Sequence, residues 1–187
     1  MNINIIVAYC KNKGIGFKND LPWKIKSDLK KFYKLTKGNG NNAIIMGKNT
    51  WNSLNCTPLK FRDNLIISSS LDFEKKYVNN EIAKTFKSIE NILQFCENKN
   101  YDNIWIIGGE QIYTTFLDNK ELSNLINKIY VTELDYEYEC DTFFPKITDN
   151  FRCILKKTHI LDKNYNEFNN FIDHAVWDKV FINKNNY

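Results

Sequence analysis

Asp28 is the first residue to ask about. It lies five residues after Trp23 in Leu21-Pro22-Trp23, between a glycine-bearing loop (Gly14, Gly16) and a helix-like run from Ile25 to Lys37. On the first turn of that helix it faces back toward an apolar first strand, Ile3 to Tyr9. A carboxylate buried there resists ionising, or else holds a cationic, hydrogen-bonding ligand such as a protonated heterocycle.

Three other places have the chemistry of anion binding. Gly108-Gly109 ends the apolar run Ile104 to Ile107 and opens a helix. Strand ends that lead into helices are where open α/β sheets bind ligands and phosphates. Met46-Gly47-Lys48-Asn49-Thr50-Trp51 has the same form, with a cation and a hydroxyl at the helix start. Ser68-Ser69-Ser70 supplies small donors after a third strand. Each alone reads more simply as a turn; three together are harder to dismiss than one, and they suit a pyrophosphate or a ribose phosphate. GxGxxG and GxxxxGK[ST] do not occur, which disfavours an ordinary dinucleotide fold or P-loop.

Arg62 is one of only two Arg among 26 basic residues, the other being Arg152. Lysine cannot copy the planar fork of arginine, so Arg62 suggests a bidentate carboxylate contact, with a structural salt bridge as the alternative. Arg152, starting a late strand, reads as a surface pair. His159 and His174 lie far apart on strand-like runs without a Ser or Cys partner and read as structural. Asp141-Thr142-Phe143-Phe144-Pro145 reads as a loop closing onto the core, with Asp141 as a turn residue.

The elements that must position these groups follow from the apolar pattern. Strand-like runs are Ile3 to Tyr9, Ala43 to Met46, Asn64 to Ser68, Ile104 to Ile107, Lys128 to Leu134, Arg152 to His159 and Phe168 to Trp177. Helical patterns cover Ile25 to Lys37, Lys48 to Leu54, Ser88 to Glu97 and Glu110 to Leu117, with Ser88 as an N-cap. Their alternation predicts an α/β fold: one domain over 1–187, a central and mostly parallel sheet, helices on both faces and an antiparallel C-terminal strand. The last two runs form an antiparallel pair joined through Leu161 to Glu167.

Bulk properties narrow the class. With 187 residues, 43% apolar and 14% aromatic, the chain can bury a substantial core. No run approaches 18 apolar residues, so no transmembrane helix is expected. The N-terminus lacks a basic region and a long apolar stretch, so no signal peptide is expected. Five scattered cysteines without CxxC spacing indicate reduced, mostly buried thiols in a cytoplasmic protein and no zinc or other metal site. The sequon Asn55-Cys56-Thr57 is then silent. A net charge of +4 from dispersed lysines excludes a nucleic-acid groove but suits an anionic small ligand.

Taken together, the segments resemble the dihydrofolate reductase family over nearly the whole chain. In the family's order they are Ile6-Val7-Ala8, Gly14-Ile15-Gly16, Leu21-Pro22-Trp23 with Asp28, and Ile45-Met46-Gly47-Lys48 with Thr50-Trp51. Pro58-Leu59-Lys60 with Arg62 follows, then Ile106-Ile107-Gly108-Gly109 with Tyr113, Tyr130-Val131-Thr132 and Asp141-Thr142-Phe143-Phe144-Pro145.

The resemblance implies NADPH-dependent reduction of 7,8-dihydrofolate to tetrahydrofolate, in support of one-carbon and thymidylate metabolism, and sensitivity to antifolate inhibitors. By it, Asp28 bonds the pterin and favours protonation of N5, Thr132 fixes Asp28, and Trp23 holds a bridging water. Ile6, Val7, Leu29, Phe32, Leu54, Leu59 and Ile107 wall the substrate, and Arg62 forks onto the glutamate tail. Ala8, Ile15 and Gly16 border the nicotinamide under a lid from Lys13 to Pro22. Gly108-Gly109 matches a cis glycine pair. It leads to helix amides of Glu110, Gln111, Ile112 and Tyr113 at the pyrophosphate, joined by Thr50. Lys48 and Ser69 face the 2′-phosphate with Gly47, Asn49 and Ser68 around them, and Lys87 lies near the adenosine end. Phe61 stands where many members have Gly, and Ser69 where some have Arg. A monomer is expected.

Three alternatives stay open on the sequence: a related pyrimidine or pterin reductase, a folate-binding module without turnover, and the reductase half of a thymidylate synthase fusion. The chain's end at Tyr187 gives the expectation that no synthase is present.

Overall fold

The computed structural model describes residues 1–69, 82–160 and 175–186. Their elements in chain order are β1 (Ile3–Tyr9), β2 (Gly14–Gly16), α1 (Lys26–Lys37), β3 (Asn42–Gly47), α2 (Lys48–Ser53), β4 (Asp63–Ile67) and β5 (Ala83–Phe86). Then come α3 (Ile89–Lys99), β6 (Asn103–Gly108), α4 (Glu110–Asp118), α5 (Lys120–Leu125), β7 (Ile126–Leu134), β8 (Thr142–Phe143), β9 (Phe151–Ile160) and β10 (Ala175–Asn183).

Eight strands form one sheet in the order β5-β4-β3-β6-β1-β7-β10-β9. The six from β5 to β7 pair in parallel; β10 runs antiparallel to both neighbours. The central strands are covered on both sides, which is why they read as unbroken apolar runs. From β1, Ile3, Ile5, Val7 and Tyr9 join Ile92, Phe116 and Leu117 on one face, under α3 and α4. Ile6 joins Ile44, Met46, Trp51 and Trp105 on the other, with Phe32 and Leu35 of α1 packed against them.

Local signals explain the element ends. Asp28 in the first turn of α1 and Lys34 and Lys37 in the last complement the helix dipole. Gly38, at φ 54°, ends the helix where a Cβ would meet the Asn42 amide at 2.6 Å. Ser88 caps α3, its hydroxyl accepting from Asn91 N, and Asn119 caps α5 through Glu121 N and Leu122 N.

The sequence pattern ends the last strand too early. Within the described chain β10 begins at Ala175 and continues six residues past Trp177, because it pairs with β7 through Ile182. Asp178 and Lys179 break the apolar run but are neutralised by Lys31 and Glu133, so the strand carries on through them. Four short elements, β2, β5, β8 and α5, escape the pattern altogether. The expected connection from Leu161 to Glu167, the run from Phe168, and Ser70 and His174 lie outside the described residues. The cysteines are less buried than expected: Cys10 and Cys96 are buried, Cys56 and Cys140 partly exposed and Cys153 exposed. Cys10 and Cys140, distant in sequence, have Sγ atoms 3.8 Å apart. No described helix is long and apolar enough to cross a membrane, and no described cluster of His, Cys, Asp or Glu could hold a metal.

Candidate active site

The carboxyl ends of β1, β3, β4 and β6 open on one side of the sheet into a cleft of about 1750 Å³. Ile6, Val7 and Ala8 form its floor, and α1 forms a wall with Asp28, Leu29 and Phe32. Leu54, Leu59 and Arg62 close the far end of that wall. On the other side of the floor lie Gly47, Lys48, Asn49 and Thr50, then Ser68 and Ser69, then Ile107 and the run from Gly109 to Tyr113. Ile15 and Gly16 border the cleft from the lid.

Asp28 is half-buried at the centre of this arrangement. Desolvation pushes its pKa up from the ordinary carboxylate value; a hydrogen bond with the Thr132 side chain and the nearby Lys31 charge oppose the shift, and Asp178 reinforces it. Thr132 is buried on β7. Periodicity of α1 places Asp28 and Lys31, three residues apart, on one face toward β7. Lys31 Nζ donates to Thr132 Oγ1 at 2.8 Å and to Asp178 Oδ1 at 2.5 Å.

Arg62 is 4% exposed, and loss of hydration lowers its basicity. Its Nε donates to Lys60 O at 3.1 Å, Nη1 donates to Thr36 Oγ1, and the guanidinium lies 5.2 Å from the Tyr33 ring centroid. These contacts fix the plane of the guanidinium at the edge of the cleft, with donors left for an anion.

The glycine ends are built for a close backbone approach. The Gly108–Gly109 peptide is cis. A Cβ on Gly108 would stand 2.9 Å from the Tyr113 ring, and Gly108 has φ 113°, so no side chain fits there. A Cβ on Gly47 would stand 3.1 Å from Ile112. Helix α4 starts without a side-chain cap, and Ile112 N and Tyr113 N donate to Gly109 O at 3.0 Å, so the amides of Glu110 and Gln111 are the ones the helix start offers to an anion, with the Thr50 hydroxyl beside Gly109. This donor set suits a diphosphate. Glu110 does not oppose it by turning inward: Oε2 accepts from Phe143 N at 3.0 Å.

Four of the sequence-derived candidates do not line the cleft. Thr132 stands behind Asp28. Trp23 is buried beside Tyr138, its ring 5.3 Å away, and its indole nitrogen has no protein partner among the described residues. Gly108 supports the glycine turn from behind. Lys87 follows β5 with its side chain exposed. Sequence reasoning missed Tyr33, Asp20 and Thr142 in the lining and underrated Asp141. Asp141 does more than turn the chain: Oδ2 accepts from Lys18 N at 2.8 Å, and so holds the lid to β8. It also missed Lys31, although a cation three residues after the key acid was a readable signal.

The chain matches the family model described as "Dihydrofolate reductase" over residues 2–175. It is 35% identical over 158 residues to a dihydrofolate reductase of Drosophila melanogaster, covering 81% of this chain and 84% of that one. It is 39% identical over 164 residues to the enzyme of Staphylococcus haemolyticus, covering 87% and 89%. Among solved structures it is similar to a dihydrofolate reductase from Enterococcus faecalis complexed with NADP(H) and an RAB-propyl compound. The TM-score is 0.77 at 25% identity, covering 97% of this chain and 96% of that one.

Proposed function

This chain belongs to the dihydrofolate reductase family and reduces 7,8-dihydrofolate to tetrahydrofolate with NADPH, and we propose that Asp28 is the group on which that reaction turns. The observation that carries this reading is a carboxylate, its pKa raised by desolvation, set among the apolar Leu29, Phe32, Ile6 and Val7 of the cleft. Once ionised, it stabilises positive charge arising on the pterin ring. The buried Thr132 hydroxyl holds it in place, and Trp23 supplies a buried N–H for a water between protein and substrate.

Position in the cleft supports the remaining roles. Leu29, Phe32, Leu54 and Leu59 present apolar surface to the pterin and the ring beyond it, and Ile6, Val7 and Ile107 present it from the sheet. Arg62 takes the glutamate carboxylate. NADPH supplies the hydride when bound. Ala8, Ile15 and Gly16 border its nicotinamide; the amides of Glu110 and Gln111, with Gly108, Gly109, Ile112, Tyr113 and Thr50 around them, take its pyrophosphate; Lys48 and Ser69, flanked by Gly47, Asn49 and Ser68, take its 2′-phosphate. Lys87, exposed beyond β5, reaches the adenosine end. The protein's own contribution is to hold two rings face to face and to exclude water beneath the lid.

Residues 1–187 act as one domain and a monomer in the cytoplasm. Five unbonded thiols, two of them within 3.8 Å of each other, support a reducing compartment. Diaminopyrimidine antifolates bind through Asp28.

The test is NADPH oxidation with dihydrofolate by the wild type and Asp28→Asn, with NADH in parallel. Turnover is expected to collapse in the variant near neutral pH. Undiminished turnover would remove Asp28 from the mechanism, and equal use of NADH would remove Lys48 and Ser69 from a 2′-phosphate site.

A further inference from the structure

We propose that Lys31 and Asp178 are positioning residues for the Asp28 carboxyl, acting through the Thr132 hydroxyl; this rests on the reading of Asp28 given above. Two independent geometries converge on the arrangement. Helix periodicity brings Lys31 onto the face of α1 that carries Asp28. The β7–β10 register sets Asp178 directly opposite Thr132. The Lys31 ammonium joins the two strands, 2.8 Å from Thr132 Oγ1 and 2.5 Å from Asp178 Oδ1.

Donor arithmetic gives this contact its effect. An ammonium only donates, and a hydroxyl has one proton. With a lone pair of Thr132 engaged by Lys31, the hydroxyl proton is directed to its other partner, Asp28. An ionised carboxylate accepts that bond and is favoured by it. The ammonium also polarises the hydroxyl, which strengthens the bond it gives. Without Lys31, the hydroxyl is free to turn and accept from a protonated acid. Asp178 anchors the ammonium, yet its own negative charge lies close enough to disfavour ionisation of Asp28. The two residues therefore act on Asp28 with opposite sign.

The groups around Asp28 can be named element by element. Helix α1 gives Lys31. Strand β7 gives Thr132 and, two residues back on the same face, Tyr130. Strand β10 gives Asp178, and β9 gives the exposed Lys157, paired with Asp178 across the ladder. Strand β1 gives only Ile6 and Ala8 there. Lys31 is the one cation among these that contacts the Thr132 hydroxyl.

The experiment is a carbon-13 NMR titration of the Asp28 carboxyl in the full chain, assigned with Asp28→Asn, for the wild type, Lys31→Met and Asp178→Asn. The midpoint is expected to rise by about one pH unit in Lys31→Met, the change that follows removal of a nearby opposite charge. It is expected to fall in Asp178→Asn, and the acid limb of kcat/KM should move with it in each variant. Midpoints that move the same way in both variants, or in neither, would overturn the proposal. Should Lys31→Met not fold, Asp178→Asn decides alone: a fall supports the proposal, and no change or a rise overturns it. The carboxyl titration reads the influence of Lys31 whether or not Asp28→Asn retains turnover, so failure of the Asp28 reading is seen separately.

Discussion

The carboxylate of Glu110 and the backbone N–H of Phe143, 33 residues apart, are joined by a 3.0 Å hydrogen bond that ties the start of α4 to β8. Because β8 pairs with β2, the same bond connects the amide cradle to the base of the lid. It also aims a negative charge away from the cradle. Glu110→Gln keeps an acceptor for Phe143 and removes the charge. NADPH is expected to bind about two- to fivefold more tightly, and the unliganded protein to lose about 0.5 kcal/mol as the helix start loses its charge complement. Equilibrium fluorescence titration and denaturant unfolding check the two halves.

Arg62→Lys keeps the charge and loses the fork. The Thr36 and Lys60 contacts that orient the guanidinium have no equivalent for an ammonium. KM for dihydrofolate is expected to rise roughly tenfold or more, with kcat little changed, on the scale of a lost charged hydrogen bond. Dihydropteroate, which lacks the glutamate, should not distinguish the two proteins. Equal KM increases for both substrates would place Arg62 in the scaffold instead.

The raised pKa of Asp28 has a stability consequence. Its folded value lies above its unfolded value, chiefly through desolvation. The native state therefore binds the proton more tightly than the unfolded chain does, and stability falls as pH rises through that interval. Asp28→Asn removes the penalty. Its Tm is expected to exceed that of the wild type at pH 7, with the advantage shrinking as pH falls toward the unfolded carboxylate value of ~3.9. An advantage that persisted unchanged at low pH would point to a cause other than ionisation.

Asp141 accepts from Lys18 N and from the Thr142 hydroxyl, and the Lys18 amide holds its pKa below the usual carboxylate range. Asp141→Ala frees the lid from this hold. Proteolysis between Lys13 and Pro22 is expected to accelerate, and single-turnover hydride transfer to slow by about tenfold, the scale on which small misplacements reduce rate. Thermal stability should change little, since the contact lies at the surface.

Much of this structure is legible in the residues. Strands β1, β3, β4 and β6 are apolar on both faces, so their runs, and the glycines and hydroxyls at their ends, stand out. Asp28, Arg62 and Gly108-Gly109 could be singled out because their residue types are costly or rare where they occur. What stays hidden depends on register. Asp178 looks like a break in a strand until β10 is set beside β7, where it meets a lysine 147 positions earlier. Asp141 looks like a turn residue until β8 finds β2. Cys10 and Cys140 look scattered until the same pairing brings them together. Short strands such as β5 hold too few residues to show a period.

The sheet order has a consequence for how the molecule is made. Every described residue that lines the cleft precedes β9 along the chain, the last of them being Thr142. Strand β10 is inserted between β7 and β9, so β9 has no neighbour in the sheet until the last strand is in place. A nascent chain can thus shape its ligand cleft before its sheet is finished. The charge that anchors Lys31 beside Asp28 arrives only with β10, which makes the acid of the site among the last features to mature.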